Sequence, residues 1–397
     1  MKPERKRIEE WRAALSPECR ARIDQACDMV CRTKERGGKI AVVTGSGPNV
    51  HEGVTTLIAE LMRAGIVDGV TTSSAVVAHE MGGVLDRVKR VDGRALGIAP
   101  DLLPRGGLFE FSVIDEARLE QVAGGLSMDW ELWNQGERAP GAVIIKAAGN
   151  MGYPMGLWIE QAAESILRLA RERNQPFEKI AGDYADERTM TGQGARRGLP
   201  VLVTIPQLVG GGMVGLAIGD SIAISHRARL IAELLESADV IIESAVVLTQ
   251  EIHDGPYETF TGHGIWAGWQ GVHTYRLENK KLIRVDLDSA LDRAWRFERE
   301  SRMVQEAIDK GLPKTKLMDI PFRMEMSGFA RLEGSLPIIA DIGVVWPILA
   351  ADLAERLGIA LNFISAPQQT PEGQRMREWI ADEIQPVRPV REKALRA

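Results

Sequence analysis

The chain predicts an α/β fold, a doubly wound and mostly parallel Rossmann-like sheet with a helical extension at its N-terminus. Three observations predict it. Short β-branched runs recur at KIAVVTGSG, IVDGVTTSS, GAVIIKAAG, LPVLVTIP, ADVIIESAVV and LPIIADIG. Segments of helical period, among them TTLIAELMRAG, WIEQAAESILRLARER and RARLIAELLESA, stand between them. Strands alternating with helices favour parallel pairing with both faces of the sheet covered. A hydrophobic fraction of 45% beside 26% charged residues supplies the core such a sheet needs.

Residues 1–38 read as the extension. Ile8, Trp11, Leu15, Ile23, Ala26, Met29 and Val30 recur at helical spacing among dense charge, an apolar stripe expected to pack on the body or on a neighbouring subunit. From Lys39 the texture changes to a βα unit, a strand, a glycine turn and a helix that Gly65 is placed to cap. Residues 39–372 read as one large domain without internal repeats. Within it, residues 86–138 and 255–325 are less periodic and read as insertions or a cap over the sheet edge. Residues 200–219, PVLVTIPQLVGGGMVGLAIG, are almost uncharged and near the length of a membrane span. Pro206, Gln207 and Gly210 to Gly212 divide them, so a strand, a glycine loop and a second buried segment are expected. Residues 373–397 form a tail ending in the proline-punctuated, basic QPVRPVREKALRA, expected to fray or to clasp another subunit.

Charge and cysteine content exclude several classes. With 49 Lys and Arg against 55 Asp and Glu, the net charge is -6, and no excess of positive charge serves nucleic acid or an anionic membrane. Cys19, Cys27 and Cys31 cannot pair completely, and no histidine completes a zinc set, so they read as structural and no metal is expected. The start, MKPERKRIEEWR, is not followed by an apolar signal core, which suits a cytoplasmic protein.

In open α/β sheets ligands bind beyond the carboxyl ends of the strands, where glycine turns let backbone approach a phosphate. The first such turn holds Gly45, Ser46, Gly47 and Asn49, and could cradle a pyrophosphate or ribose; it could also be a tight turn alone. It is not the G-x-G-x-x-G fingerprint, because Val50 stands where the third glycine belongs. The second strand end, Thr71 to Ala75, leads to His79 and Glu80, a pair that could supply a general base or lie on the surface. Lys146 sits in an apolar run ending at Asn150, where burial could favour Schiff-base or proton-transfer chemistry, or the ammonium could reach solvent. Glu243 and His253 flank the end of a later buried strand and could do acid–base work or form an ion pair. Trp266, in an aromatic and glycine run, could wall a ligand pocket or pack in a core.

These residues resemble the deoxyhypusine synthase-like superfamily of NAD-binding proteins. The resemblance rests on the first βα turn, on VDGVTTSSAVV, on GLPVLVTIPQLVGGG and on IIADIGVVWPILAADLAERL, and it spans most of residues 39 to 358. It implies NAD contacts at Gly45 to Asn49, at Ser73, Ser74 and Ala75, at Gly210, Gly211 and Gly212, and at Asp341. Two departures matter. The lysine of the synthase's Trp-Gly-Lys motif is absent where Ser327-Gly328-Phe329 stands, and Val77 and Ala78 replace its acidic pair. The local likeness is nearer to the NAD-dependent ornithine cyclodeaminase branch, the LOR/SDH type. Gly47-Pro48-Asn49-Val50-His51-Glu52-Gly53 and Ser74-Ala75-Val76-Val77-Ala78-His79-Glu80 carry it, both histidines included.

That likeness implies a redox-neutral enzyme. NAD takes a hydride from an amine-bearing carbon, the imine loses or exchanges its nitrogen, and the hydride returns. His79 and Glu80 would handle protons, Glu243 or His253 would hold a substrate cation, and Lys146 is a candidate for covalent attachment. His51, Asn150 and Trp266 would touch the substrate, a small amine or amino-acid-like molecule. Two alternatives remain, an alkylamine transferase of the homospermidine synthase kind and a non-catalytic NAD-binding regulatory protein. The family habit implies a homotetramer.

Overall fold

The computed structural model describes residues 1–45, 47–104, 106–149, 152–204, 208–245, 280–286, 300–311 and 335–390. The N-terminal stripe is two helices, α1 (Arg5–Ala14) and α2 (Pro17–Glu35). They separate at Leu15-Ser16-Pro17, where the Ser16 hydroxyl accepts from Cys19 N and proline takes the first helical position. Next come β1 (Ile40–Thr44), the short α3 (Gly47–His51), α4 (Val54–Arg63), β2 (Gly69–Thr72) and α5 (Ser74–Met81). Gly65 follows α4 with a φ of 78°, the conformation a glycine supplies at least cost.

Residues 85 to 147 depart from simple alternation. They hold β3 (Leu85–Asp92), β4 (Leu108–Ser112), α6 (Glu116–Ala123), α7 (Trp130–Arg138) and β5 (Ala142–Ala147). The three strands form a separate antiparallel sheet in the order β4-β3-β5. GAVIIKAAG therefore does not join the parallel sheet as its apolar run predicts. The correction has a physical cause: an apolar run marks a strand without naming its partner, and β5, which is exposed or only half-buried along its length, pairs with β3 from Ala142 with Arg90 to Ala147 with Leu85.

The chain continues through α8 (Met155–Arg173), α9 (Phe177–Tyr184), α10 (Met190–Arg197), β6 (Val201–Val203), α11 (Met213–Ser221), α12 (Ile224–Ser237), β7 (Val240–Ser244) and β8 (Lys281–Asp286). It closes with α13 (Arg302–Asp309), β9 (Ser335–Ile339), α14 (Ile342–Arg356) and α15 (Pro371–Glu383). Within residues 200–219 the described residues form the strand β6, a tight turn at Val209–Gly211 and the short helix α11. Among the described residues no helix is long and apolar enough to cross a membrane.

The main sheet is wholly parallel and runs β6-β2-β1-β7-β8-β9. It is doubly wound. Ile40, Val42, Val240, Ile242, Ile283 and Val285 pack on α2, α4 and α14, while Ala41, Val43, Leu202, Ile241 and Leu282 pack on α12. Cys19, Cys27 and Cys31 are buried free thiols on α2. The short edge strand β6 is covered by a buried ion pair. Glu178 of α9 accepts from Val203 N at 2.7 Å and from Arg227 at 2.5 Å, and Arg227 of α12 donates to Val203 O at 3.2 Å. Pairing both backbone groups of Val203 removes the template an open edge offers to another chain.

The start of the C-terminal tail packs on its own chain. Ile384 and Val387 are buried, and Val387 N donates to Met81 O at 2.9 Å and Arg388 N to Tyr184 O at 3.0 Å. Residues 384–390 are therefore ordered against their own chain. Their apolar side chains find a groove beside α5 and α9 within the same molecule.

Candidate functional site

The parallel strands bring their carboxyl ends to one side of the sheet, β1 at Thr44, β2 at Thr72 and β7 at Ser244. From β1 the chain proceeds outward through β2 and β6, then returns to β7 on the other flank of β1 and proceeds through β8 and β9. The direction of winding reverses between β1 and β7, the position where open α/β sheets leave a crevice for ligands.

The turn after β1 closes that crevice from one side. Asn49 is fully buried and donates through Nδ2 to Gly45 O at 3.2 Å and Ser244 O at 2.9 Å. Ser244 Oγ donates to Asn49 Oδ1 at 2.5 Å and accepts from Trp346 Nε1 at 2.7 Å. Both ends of the Asn49 amide thus tie β1 to β7, which leaves the backbone of the turn to face the crevice. The Gly47 position is open, and a Cβ there would meet no described atom within 4 Å. Ser46 lies outside the described residues.

The glycine loop reaches the same edge from β6. Ser73 caps α5 by accepting from Val76 N at 3.3 Å, and Ser74 Oγ accepts from Gly211 N at 2.8 Å. A Cβ on Gly211 would lie 2.6 Å from Ser74 O, so glycine is what lets the loop sit against the helix start. Ser73, Ser74 and Gly211 are buried and engaged with each other's segments, whereas Ala75 is partly exposed and Gly210 and Gly212 are exposed. At the far side, Asp341 caps α14 by accepting from Gly343 N at 2.8 Å and stays partly exposed.

Beside the crevice, at the junction with the small sheet, three predicted residues come together. His79 Nδ1 lies 2.5 Å from Ala148 O. A carbonyl only accepts, so Nδ1 carries the proton and Nε2 of the neutral ring carries the lone pair. The approach depends on Gly149, whose φ is 106° and where a Cβ would fall 2.3 Å from Ala78 O. Lys146 of β5 pairs with Glu110 of β4 at 2.7 Å, a setting for a charged ammonium rather than for a nucleophilic amine. His51, at the end of α3, faces Arg377 of α15, whose Nη2 is 3.4 Å from Nδ1. Burial lowers the His79 pKa, with Lys146 acting in the same direction. Burial also lowers that of His51, helped by Arg377, His79 and Lys146.

The structure separates Glu80 and Glu243 from this group. Glu80 follows His79 on α5 and is turned inward, accepting from Met190 N at 2.7 Å, Thr191 N at 3.0 Å and Thr191 Oγ1 at 2.8 Å. It anchors the start of α10. Burial pushes its carboxyl up to about 7 against the pull of those three donors. Glu243 lies on the α12 face of the sheet, where Arg284 of the next strand donates to it at 2.6 Å. Burial pushes it up to about 7 as well, with Arg284 opposing. Sequence reading gives proton handling to Glu80 and the substrate cation to Glu243 or His253; each of the two carboxylates is buried among protein partners, and neither bonds to His51 or His79. Asn150, His253 and Trp266 lie outside the described residues.

Sequence reading missed Glu52, Gln368 and Arg377. Glu52 is buried and accepts from Gln368 N at 2.8 Å and Nε2 at 2.7 Å. Gln368 Oε1 accepts from Arg377 at 3.2 Å. Glu52 stands in the Gly47–Gly53 motif without a role assigned to it, whereas no local signal marks Gln368 or Arg377, the latter sitting among ordinary charged helix positions in PEGQRMREWIADE. A separate cavity of about 550 Å³ lies at the amino ends of β1 and β6, lined by Lys39, Pro200 and His226 among others. It is on the opposite side of the sheet from the glycine turns and the histidines.

No family model matches the chain, and no curated protein matches it. Solved structures do. The apo form of ArgZ, an arginine dihydrolase from the ornithine–ammonia cycle in cyanobacteria, aligns over 84% of this chain and 31% of its own, at 13% identity and a TM-score of 0.36. The ternary complex of AgrE with ornithine and NAD+ aligns over 89% and 34%, at 14% identity and a TM-score of 0.39. A conserved LOR/SDH protein from Methanococcus maripaludis S2 aligns over 90% and 69%, at 15% identity and a TM-score of 0.37. The chain spans about a third of the length of ArgZ and AgrE. At these identities the likeness concerns the fold, and no residue here takes a role from it.

Proposed function

We propose that this chain is an NAD-dependent enzyme that works on a small amine-bearing or amino-acid-like metabolite in a redox-neutral cycle. The observation that carries the reading is the parallel order β6-β2-β1-β7-β8-β9, with a glycine turn at the β1 end of its switch point. The residues present fit a dinucleotide mainly through backbone. Gly45 and Gly47 leave the turn without side-chain bulk, Gly210 and Gly212 offer exposed backbone beside the start of α5, and Asp341 stands partly exposed across the edge. Thr72 and Thr204, at the ends of the adjacent strands β2 and β6, bring buried hydroxyls that have no partner among the described residues.

NAD, when bound, supplies the acceptance and return of a hydride. The chain's own residues supply the rest. His79 Nε2 takes a proton from the amine as its carbon is oxidised, and its lowered pKa keeps that nitrogen unprotonated near neutral pH. The Nδ1–H bond to Ala148 O holds the ring in the required tautomer. Lys146 and His51 border the same space and orient the polar groups of the substrate. Water or a second amine, adding to the imine carbon, would expel the nitrogen as ammonia, and return of the hydride would restore the carbon's oxidation level.

The test is native mass spectrometry of the purified protein, then denaturation and identification of any released nucleotide. We expect NAD to be bound, or to bind when added, and amine substrates to release ammonia without net reduction of the cofactor. A protein that neither carries nor binds NAD overturns the proposal.

A further inference from the structure

We infer that Arg377, together with His51 and Lys146, forms a seat for a carboxylate of the small substrate. The inference rests on the proposed reading only in taking the histidine cluster as the place where a substrate sits.

The donor and acceptor inventory carries it. Arg377 has no carboxylate partner within ion-pair distance among the described residues. Its contacts are Ile145 O at 2.5 Å, Gln368 Oε1 at 3.2 Å and His51 Nδ1 at 3.4 Å, and its Nε is buried without a partner. All are neutral groups. Arginine has no acceptor, so His51 Nδ1 must accept, and the proton of the neutral ring then lies on Nε2. Arg377 of α15 reaches the carbonyl of Ile145, the residue before Lys146 in β5, and both cations add to burial in lowering the His51 pKa. Guanidinium, ammonium and imidazole N–H are all donors, and two of the three carry positive charge. A ligand that only accepts completes such a set, and a carboxylate matches the planar fork of arginine.

The neighbouring acids do not already serve as that ligand. Glu110 is held by Lys146 and by Arg90, at 2.7 and 3.0 Å. Glu52 turns both oxygens to Gln368; burial raises its pKa, with Asp341 adding to the effect and Gln368 and Arg377 opposing it, so it acts on Arg377 through space without a direct hydrogen bond. A half-buried guanidinium whose direct hydrogen-bond partners are all neutral is incompletely compensated, and an anionic ligand would complete it.

The experiment compares 5-aminopentanoate with 1-aminopentane, which lacks only the carboxylate, by isothermal titration calorimetry at low salt, with and without saturating NAD. We expect the amino acid to bind at least 10-fold tighter than the amine, and Arg377→Gln to abolish that discrimination while leaving NAD affinity unchanged. Equal binding of the two probes, binding of neither, or discrimination that survives in Arg377→Gln overturns the inference. Competition between 5-aminopentanoate and NAD also overturns it, by giving the cations to the cofactor. Should the variant fail to fold, the wild-type chain suffices. Acetate must then shift the His51 imidazole resonances, identified with His51→Gln, and their silence overturns the seat. Loss of NAD binding alone would instead strike the proposed function and leave the carboxylate seat standing.

Discussion

Replacing Glu80 by alanine distinguishes an anchor from a proton carrier. The side chain is buried and accepts three hydrogen bonds, from Met190 N, Thr191 N and Thr191 Oγ1. Alanine leaves three donors facing a cavity. Each buried donor without a partner costs about 1 to 3 kcal/mol. Offsetting this, the wild type bears the cost of burying a carboxyl that burial pushes up to about 7. Water admitted to the space would also satisfy part of the roughly 3 to 9 kcal/mol that three such donors imply, so a net destabilisation of about 3 to 5 kcal/mol is expected. For 397 residues, an unfolding entropy of about 2.1 cal/mol/K per residue translates each kcal/mol into roughly 1 °C, so Tm should fall by about 4 to 6 °C. Differential scanning calorimetry reads this, and NAD affinity below the transition should match wild type. Glu80→Gln, which keeps one oxygen, should fall between the two. If Glu80→Ala melts within 1 °C of wild type yet loses turnover 100-fold or more, the anchoring role is wrong and Glu80 carries protons after all.

Two further outcomes are expected. Glu178→Ala should destabilise by about 3 to 5 kcal/mol, because Arg227 is left charged in the core; the double change Glu178→Leu, Arg227→Met should lie nearer to wild type in urea melts than Glu178→Ala does. If the double variant is the weaker of the two, the penalty does not come from the orphaned charge. His79 should titrate below its ordinary 6.5, because burial penalises the imidazolium. An unfolded chain would take the proton first, so the stability that neutral His79 contributes is present above pH 6.5 and is lost as pH falls from 6.5 through the folded value. The imidazole C–H resonances, assigned with His79→Asn, read the midpoint, and a value at or above 6.5 would refute both the burial argument and the assignment of a neutral base.

Part of this protein is legible in one dimension. The β-branched runs place β1, β2, β6, β7 and β9, because a strand covered on both faces must be apolar along its length. The helical period places α2, α4, α8 and α12, and glycine spacing marks the turns where backbone must come close. His51, His79 and Lys146 are visible too, as polar side chains at the ends of apolar runs. What the pattern does not contain is direction. Glu80 is one residue from His79, yet the helix turns it inward to hold α10, and Glu243 alternates to the α12 face of its strand. Periodicity could not assign β5 to its sheet either, since an apolar run predicts a strand without naming its partner, and β5 is exposed or only half-buried along its length. The partner of His51 lies beyond the reach of any local signal. Arg377 arrives from 326 positions away, brought by the packing of α15 against the small sheet, and only long-range packing turns an ordinary helix charge into a half-buried cation beside the histidines.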